Sequence, residues 1–138
     1  MIQRIQSFWL LLAAACAFAT FKFSYYSGTK VNDLTLHELN ATGTLLLMIT
    51  TIVVGVLALI TIFLFKKRTL QLRLCVLGIF LEAVLIFLYY REVQNFVKGQ
   101  STYSLTAILH SIIVLAFVLA ARGINNDSKI IKDSDRLR

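Results

Sequence analysis

Two ionisable side chains stand inside long apolar runs of this sequence: Glu82, within Leu74 to Tyr90, and His110, within a run from about Tyr103 to Ala121. Glu82 lies about eight residues from either end of its run, which puts it near the centre of a bilayer if the run spans one. An acidic side chain there costs about 2.5–3.5 kcal/mol on insertion scales, so it is expected to face the interior of a bundle rather than lipid. Gly78 at i−4 and Cys75 at i−7 share its face and let a second helix come close. At about 1.5 Å per residue, His110 falls roughly 10 Å below one membrane surface and Glu82 roughly 12 Å above the other. A carboxyl and an imidazole at such depths can meet directly or through one water. Together they can pass a proton or hold a cation. The blander reading is a buried acid satisfied by His110, or by serine and threonine hydroxyls, as a packing device. That reading is the one carried forward, with an oligomeric proton or ion path through Glu82 and His110 as its alternative.

No other group of residues offers chemistry. The sequence has no glycine-rich phosphate loop, no nucleophile–base pair in a workable frame and no carboxylate cluster for a divalent metal. His37 and Glu38 are adjacent, and neighbours on a helix do not aim at one ion. Cys16 and Cys75 lack metal-ligand spacing and read as small packing residues. The polar loops, about 18 and 11 residues, are too short to build a soluble catalytic site. The expectation is a protein that is not an enzyme, with no catalytic residues, no metal and no cofactor.

The elements that position Glu82 and His110 follow from composition. The chain has 138 residues, 58% hydrophobic and 15% charged, with six glycines and no proline. Its mean hydropathy is +0.77. Soluble domains are about 45–50% apolar and about 25% charged, so this is an integral membrane protein built of long, unbroken helices. The net charge of +7 is no nucleic-acid signal, because the cations flank apolar runs instead of forming a patch. The densest cluster, Lys66-Lys67-Arg68-Thr69-Leu70-Gln71-Leu72-Arg73, separates two membrane-length runs and reads as a cytoplasmic turn. Lys66, Lys67, Arg68 and Arg73 orient the chain and are available to anionic lipid or a cytoplasmic partner.

The expected fold is an all-α membrane protein in one domain, 1–138, with four transmembrane helices arranged as two helical hairpins, N-in/C-in. The helices are placed at about 5–23, 42–65, 74–90 and 103–121, with a cytoplasmic tail 122–138. The first is expected to be retained as a span, although Arg4, a short apolar run and Ala17-Phe18-Ala19 imitate a signal peptide. Small residues Ala13, Cys16, Ala17 and Thr20 recur at helix-contact spacing, as do Thr44, Thr51, Gly55 and Ala58 in the second and Ser104, Ala107 and Ser111 in the fourth. Between the first two helices, Tyr25 and Tyr26 suit the headgroup level. Ser27-Gly28-Thr29 reads as a turn, and Thr35-Leu36-His37-Glu38 as a capping box starting the second helix early. Tyr89-Tyr90-Arg91 reads as an interfacial anchor. In the tail, Asp127 is placed as the cap of a short surface helix turning Ile130, Ile131 and Leu137 inward.

Cation counts set the orientation. With both termini cytoplasmic, that side holds Arg4, the four cations of the turn, Arg122, Lys129, Lys132, Arg136 and Arg138. The far side holds only Lys22, Lys30, Arg91 and Lys98, the bias that positive-inside requires.

The opening Met1-Ile2-Gln3-Arg4-Ile5-Gln6-Ser7, the stretch from Phe65 to Cys75 and the ending Ser134-Asp135-Arg136-Leu137-Arg138 resemble a family of small four-helix inner-membrane proteins from Bacteroidota, catalogued as a domain of unknown function. The resemblance runs the whole chain in order. It implies a bacterial cytoplasmic-membrane location and four helices, and it implies no enzyme activity. The function expected is a structural or accessory subunit. Its partners are the bilayer and a larger membrane complex or further copies of itself, with no nucleic acid.

Overall fold

A computed structural model describes residues 2–30, 33–39, 41–95, 102–103 and 108–137. The protein is mostly helical: α1 (Ile2–Ala19), α2 (Leu45–Phe63), α3 (Arg68–Val93) and α4 (Ile108–Arg136). Three of these, α2, α3 and α4, are long and apolar enough to cross a membrane. The apolar part of α1, Arg4–Ala19, is shorter. The helices close into a ring in which α1 and α3 each pack between α2 and α4.

The interior has two apolar clusters. The larger gathers Leu10, Ala13 and Ala17 of α1, Val54 and Ala58 of α2, Cys75 of α3, and Ile113, Phe117 and Ala120 of α4. Small residues let the backbones approach, and single bulky side chains fill the space left. Phe18 of α1 fits against Gly55 of α2 so closely that a methyl group there would lie 2.8 Å from its ring. In α2, Thr51 and Thr61 are fully buried, and each hydroxyl donates to the carbonyl four residues earlier, so neither leaves an unmet donor.

One feature departs from an all-α reading. Strands β1 (Tyr26–Lys30), β2 (Asp33–Leu39) and β3 (Thr102–Tyr103) form an antiparallel sheet in the order β2-β1-β3. The stretch expected to turn at Ser27-Gly28-Thr29 is the body of β1, and the expected capping box at Thr35–Glu38 lies inside β2. Alternation of leucine with polar residues through Asp33-Leu34-Thr35-Leu36-His37 is strand periodicity, and it wins over the local cap pattern. A bond from Tyr25 N–H to Leu39 C=O, 2.6 Å, ties the root of the hairpin. Because β1 follows α1 and β3 follows α3, the two connections meet at one end of the bundle. Beneath the sheet lies the second cluster, Tyr26, Leu39, Leu47, Leu85 and Tyr89.

The opposite end collects the α2–α3 turn and both chain termini. The third helix begins at Arg68 and not at Leu74. No proline or glycine interrupts 64–77, so the basic stretch continues as helix once the turn is complete. Gln71, buried, donates to Thr61 C=O at 3.1 Å and clips the two helices together. The fourth helix does not stop at Ala121. It is continuous to Arg136, and Asp127 caps nothing: its carboxylate accepts a 2.7 Å bond from Gln6 Nε2 of α1. Ile130, Ile131 and Leu137, expected to turn inward, are 56%, 44% and 90% exposed. The early start expected for the fourth helix, with Ser104 and Ala107 on its packing face, falls partly on residues outside those described; Tyr103 itself is in β3.

Candidate buried polar site

Glu82 projects from the middle of α3, and His110 from the first turn of α4. Both are buried, at 0% and 2% exposure. His110 Nδ1 lies 2.6 Å from Glu82 Oε1. The helix pair that brings them together is held by shape one and two turns further toward the basic end. There Phe117, fully buried, sits against Gly78, and a methyl group on Gly78 would stand 2.7 and 2.8 Å from its ring carbons. Glycine is needed there because any side chain would push α4 away, and with it His110.

Toward the sheet the surroundings are aromatic. Tyr89, two turns beyond Glu82 on α3, is fully buried, with its ring centroid 4.8 Å from that of His110. Tyr25, just before β1, stacks on Tyr89 at 4.4 Å and meets His110 edge-on at 5.4 Å. Three polar atoms here are buried without a hydrogen-bond partner among the described residues: Glu82 Oε2, His110 Nε2 and Tyr89 Oη. The site therefore consists of one satisfied contact with three unspent polar atoms around it. It sits between the two apolar clusters, with Leu85 and Tyr89 on one side and Cys75, Ile113 and Phe117 on the other. No group of three or more metal-ligating side chains occurs among the described residues.

Tyr89 was expected at the interface with Tyr90. The structure separates them: Tyr90 is 56% exposed, while Tyr89 joins the site. The seven-residue spacing from Glu82 put Tyr89 on the same helix face, so this much was available from sequence. Tyr25 was not, because its place depends on a hairpin that brings distant residues together.

The cations of the turn are distributed differently. Lys66 and Lys67 are exposed in the turn itself, Arg73 is exposed on α3, and Arg68 is half-buried at the start of α3. Arg68 Nη1 is buried and unpartnered among the described residues. Lys66 Nζ lies 6.0 Å from the ring centre of Phe65. These groups share one end of the bundle and make no site with Glu82.

A family profile described as "Domain of unknown function (DUF4293)" matches residues 2–137. The chain belongs to this family. No curated protein and no solved structure matches it. The DUF4293 match covers α1 through α4, the sheet and the polar site as one unit.

Proposed function

We propose that this protein is a multi-pass protein of the bacterial inner membrane. In this reading it has four spans and N-in/C-in orientation, is not an enzyme, and serves as a structural or accessory subunit of a larger membrane complex. The four-span reading is supported by the closed ring, in which the shorter α1 contributes Leu10, Ala13, Ala14, Cys16 and Ala17 to the larger apolar cluster, and by both connections pairing in one sheet at one end. N-in/C-in is supported by cations: Arg4, Lys66, Lys67, Arg73, Arg122, Lys129, Lys132 and Arg136 all stand exposed at the other end. Labelling by a membrane-impermeant maleimide tests this. Arg4→Cys and Lys132→Cys, both at exposed positions, should react from the cytoplasmic side and Lys22→Cys from the other, and reaction of Arg4→Cys and Lys132→Cys from opposite sides rejects four spans.

The observation that carries the accessory reading is the overshoot of α4. Its 29 residues make a rod of about 43 Å, against a hydrocarbon core of about 30 Å. From Asn125 to Arg136 no side chain is buried, and Gln6 holds the base of this extension through Asp127. A helix that presents Lys129, Ile130, Ile131, Lys132 and Arg136 to solvent while burying none of them is a surface for another protein. Purified in mild detergent, the full chain should bring down a stoichiometric membrane partner, and a chain ending at Ser128 should lose it. A full chain that runs as a monomer without partners overturns the reading.

One observation favours a second reading, an oligomeric proton or ion transport component: the Glu82–His110 contact inside the membrane-length part of the bundle. Glu82→Gln separates the two. Lost flux with intact folding supports transport, and unchanged flux with lowered stability supports packing.

A further inference from the structure

We propose that Glu82 and His110 form a proton-binding site reached from the sheet end of the bundle and sealed from the basic end by Phe117. This deepens the second reading of function, whose Glu82–His110 site it shares, and rests on the four-span topology only for which side of the membrane the proton comes from.

The geometry supplies a receiver, a donor route and a stop. Glu82 Oε1 is engaged with His110 Nδ1 at 2.6 Å, which leaves His110 Nε2 as the outward nitrogen, buried and unpartnered among the described residues. An imidazole is the side chain suited to hand a proton from one nitrogen to the other. With the ring neutral and its proton on Nδ1, a hydronium ion from the sheet side gives a proton to Nε2 and leaves as water. The Nδ1 proton then passes to Glu82 Oε1. The pair has gained one proton: a carboxylate has become a carboxylic acid, and the ring is neutral again with its proton on Nε2. No electrons move.

The direction of access follows from what lies on each side. Toward the sheet stand the rings of Tyr89 and half-buried Tyr25, the latter within the reach of solvent at the hairpin root. Tyr89 Oη offers a further polar atom beside His110. Toward the basic end stand Phe117, pressed against Gly78, and buried Cys75 and Ile113. The polar side chains described there are the Cys75 thiol, which lies beyond Gly78 from Glu82, and farther on Thr61 and Gln71, whose hydroxyl and amide are engaged with backbone carbonyls. The titratable groups around the pair are therefore Tyr89 and Cys75 on α3 and Tyr25 ahead of β1. On α4, His110 is one of the pair itself. On the remaining neighbours, α2 carries no ionisable side chain and α1 carries exposed Arg4 and buried Cys16.

The chain has two histidines, so His37→Gln leaves His110 as the one reporter for nitrogen NMR of 15N-histidine-labelled protein in vesicles. Trypsin sites in the exposed tail identify which face is outward. Acidifying the sheet side should convert the Nε2 signal from its unprotonated to its protonated position, and acidifying the tail side should not. In Glu82→Gln no carboxylate can take the Nδ1 proton, so protonation should no longer exchange the positions of the Nδ1 and Nε2 signals. Phe117→Ala should let the tail side be read as well. A His110 signal that stays fixed across the pH range in the parent protein overturns the site, whatever Glu82→Gln does to folding. Equal response to either face in the parent overturns the seal, and a response unaffected by Glu82→Gln overturns the pairing. The same titration in detergent reports proton uptake without regard to sidedness. If uptake occurs there while maleimide labelling at residues 22 and 132 comes from one face, it is the topology that has failed and not the site.

Discussion

The α3–α4 contact is built twice over, by opposite means. At Gly78 and Phe117, a missing side chain on one helix receives an apolar ring from the other. One turn nearer the sheet, Glu82 meets His110 through a 2.6 Å hydrogen bond, with Oε2, Nε2 and Tyr89 Oη left over. Between helices in lipid there is no hydrophobic gain from burial, so packing and hydrogen bonds must supply the attraction. The apolar level does this by shape alone and tolerates no change of volume. The polar level does it by a hydrogen bond and keeps spare capacity. The first fixes the distance between the helices; the second depends on that distance and has room for chemistry.

The largest expected effect separates the halves of the polar level. His110→Leu leaves Glu82 buried without its partner and should cost about 3–5 kcal/mol in reversible detergent unfolding. Combining it with Glu82→Leu should recover most of that loss, because a pair of well-packed apolar residues replaces a pair of polar ones. If the double variant is as unstable as the single, the two residues do not act as a pair. At the apolar level, Phe117→Ala should cost about 2 kcal/mol. This is mainly the cavity term, since a lipid-exposed reference removes most of the transfer term. Gly78→Ala should cost about 1–2 kcal/mol through overpacking. In a Phe117→Ala background, the same methyl group should become neutral or favourable. A cost that stays the same there would show that Gly78 is required for some reason other than Phe117.

How much of this could be read beforehand differs between the two levels. The face shared by Glu82, Gly78 and Cys75 follows from helical spacing, as does the depth that puts His110 within reach. Phe117 carries no such signal, because any of several large residues on the fourth helix fits the pattern. The sheet was hidden for a different reason. Thr35 and Glu38 satisfy a helix-start pattern that three or four residues are enough to create, whereas β1 gains its partners only when β2 and the distant β3 arrive. Tyr25 inherits that difficulty. The length of α4 is not legible because a polar, mixed-charge composition beyond Ala121 suggests an ending, while the helix continues past Gly123 with Gln6 packed against it.

The smallest expected effect is also the most discriminating for the polar level. Tyr89 is fully buried and its hydroxyl has no partner among the described residues. A buried, unmet hydroxyl is a cost, so Tyr89→Phe should leave stability unchanged or raise it by up to about 1 kcal/mol. The ring stack on Tyr25 at 4.4 Å would be kept. The comparison with Phe117 sharpens the point: there the whole ring matters, while at Tyr89 the oxygen contributes nothing to holding the bundle together. A loss of about 1 kcal/mol or more in the same unfolding assay would mean that the hydroxyl is bonded in the membrane-embedded protein, and the polar level would then be a closed packing network. A gain in stability, accompanied by slower proton uptake at His110, would mean that the oxygen is retained at a cost for what it does beside the imidazole.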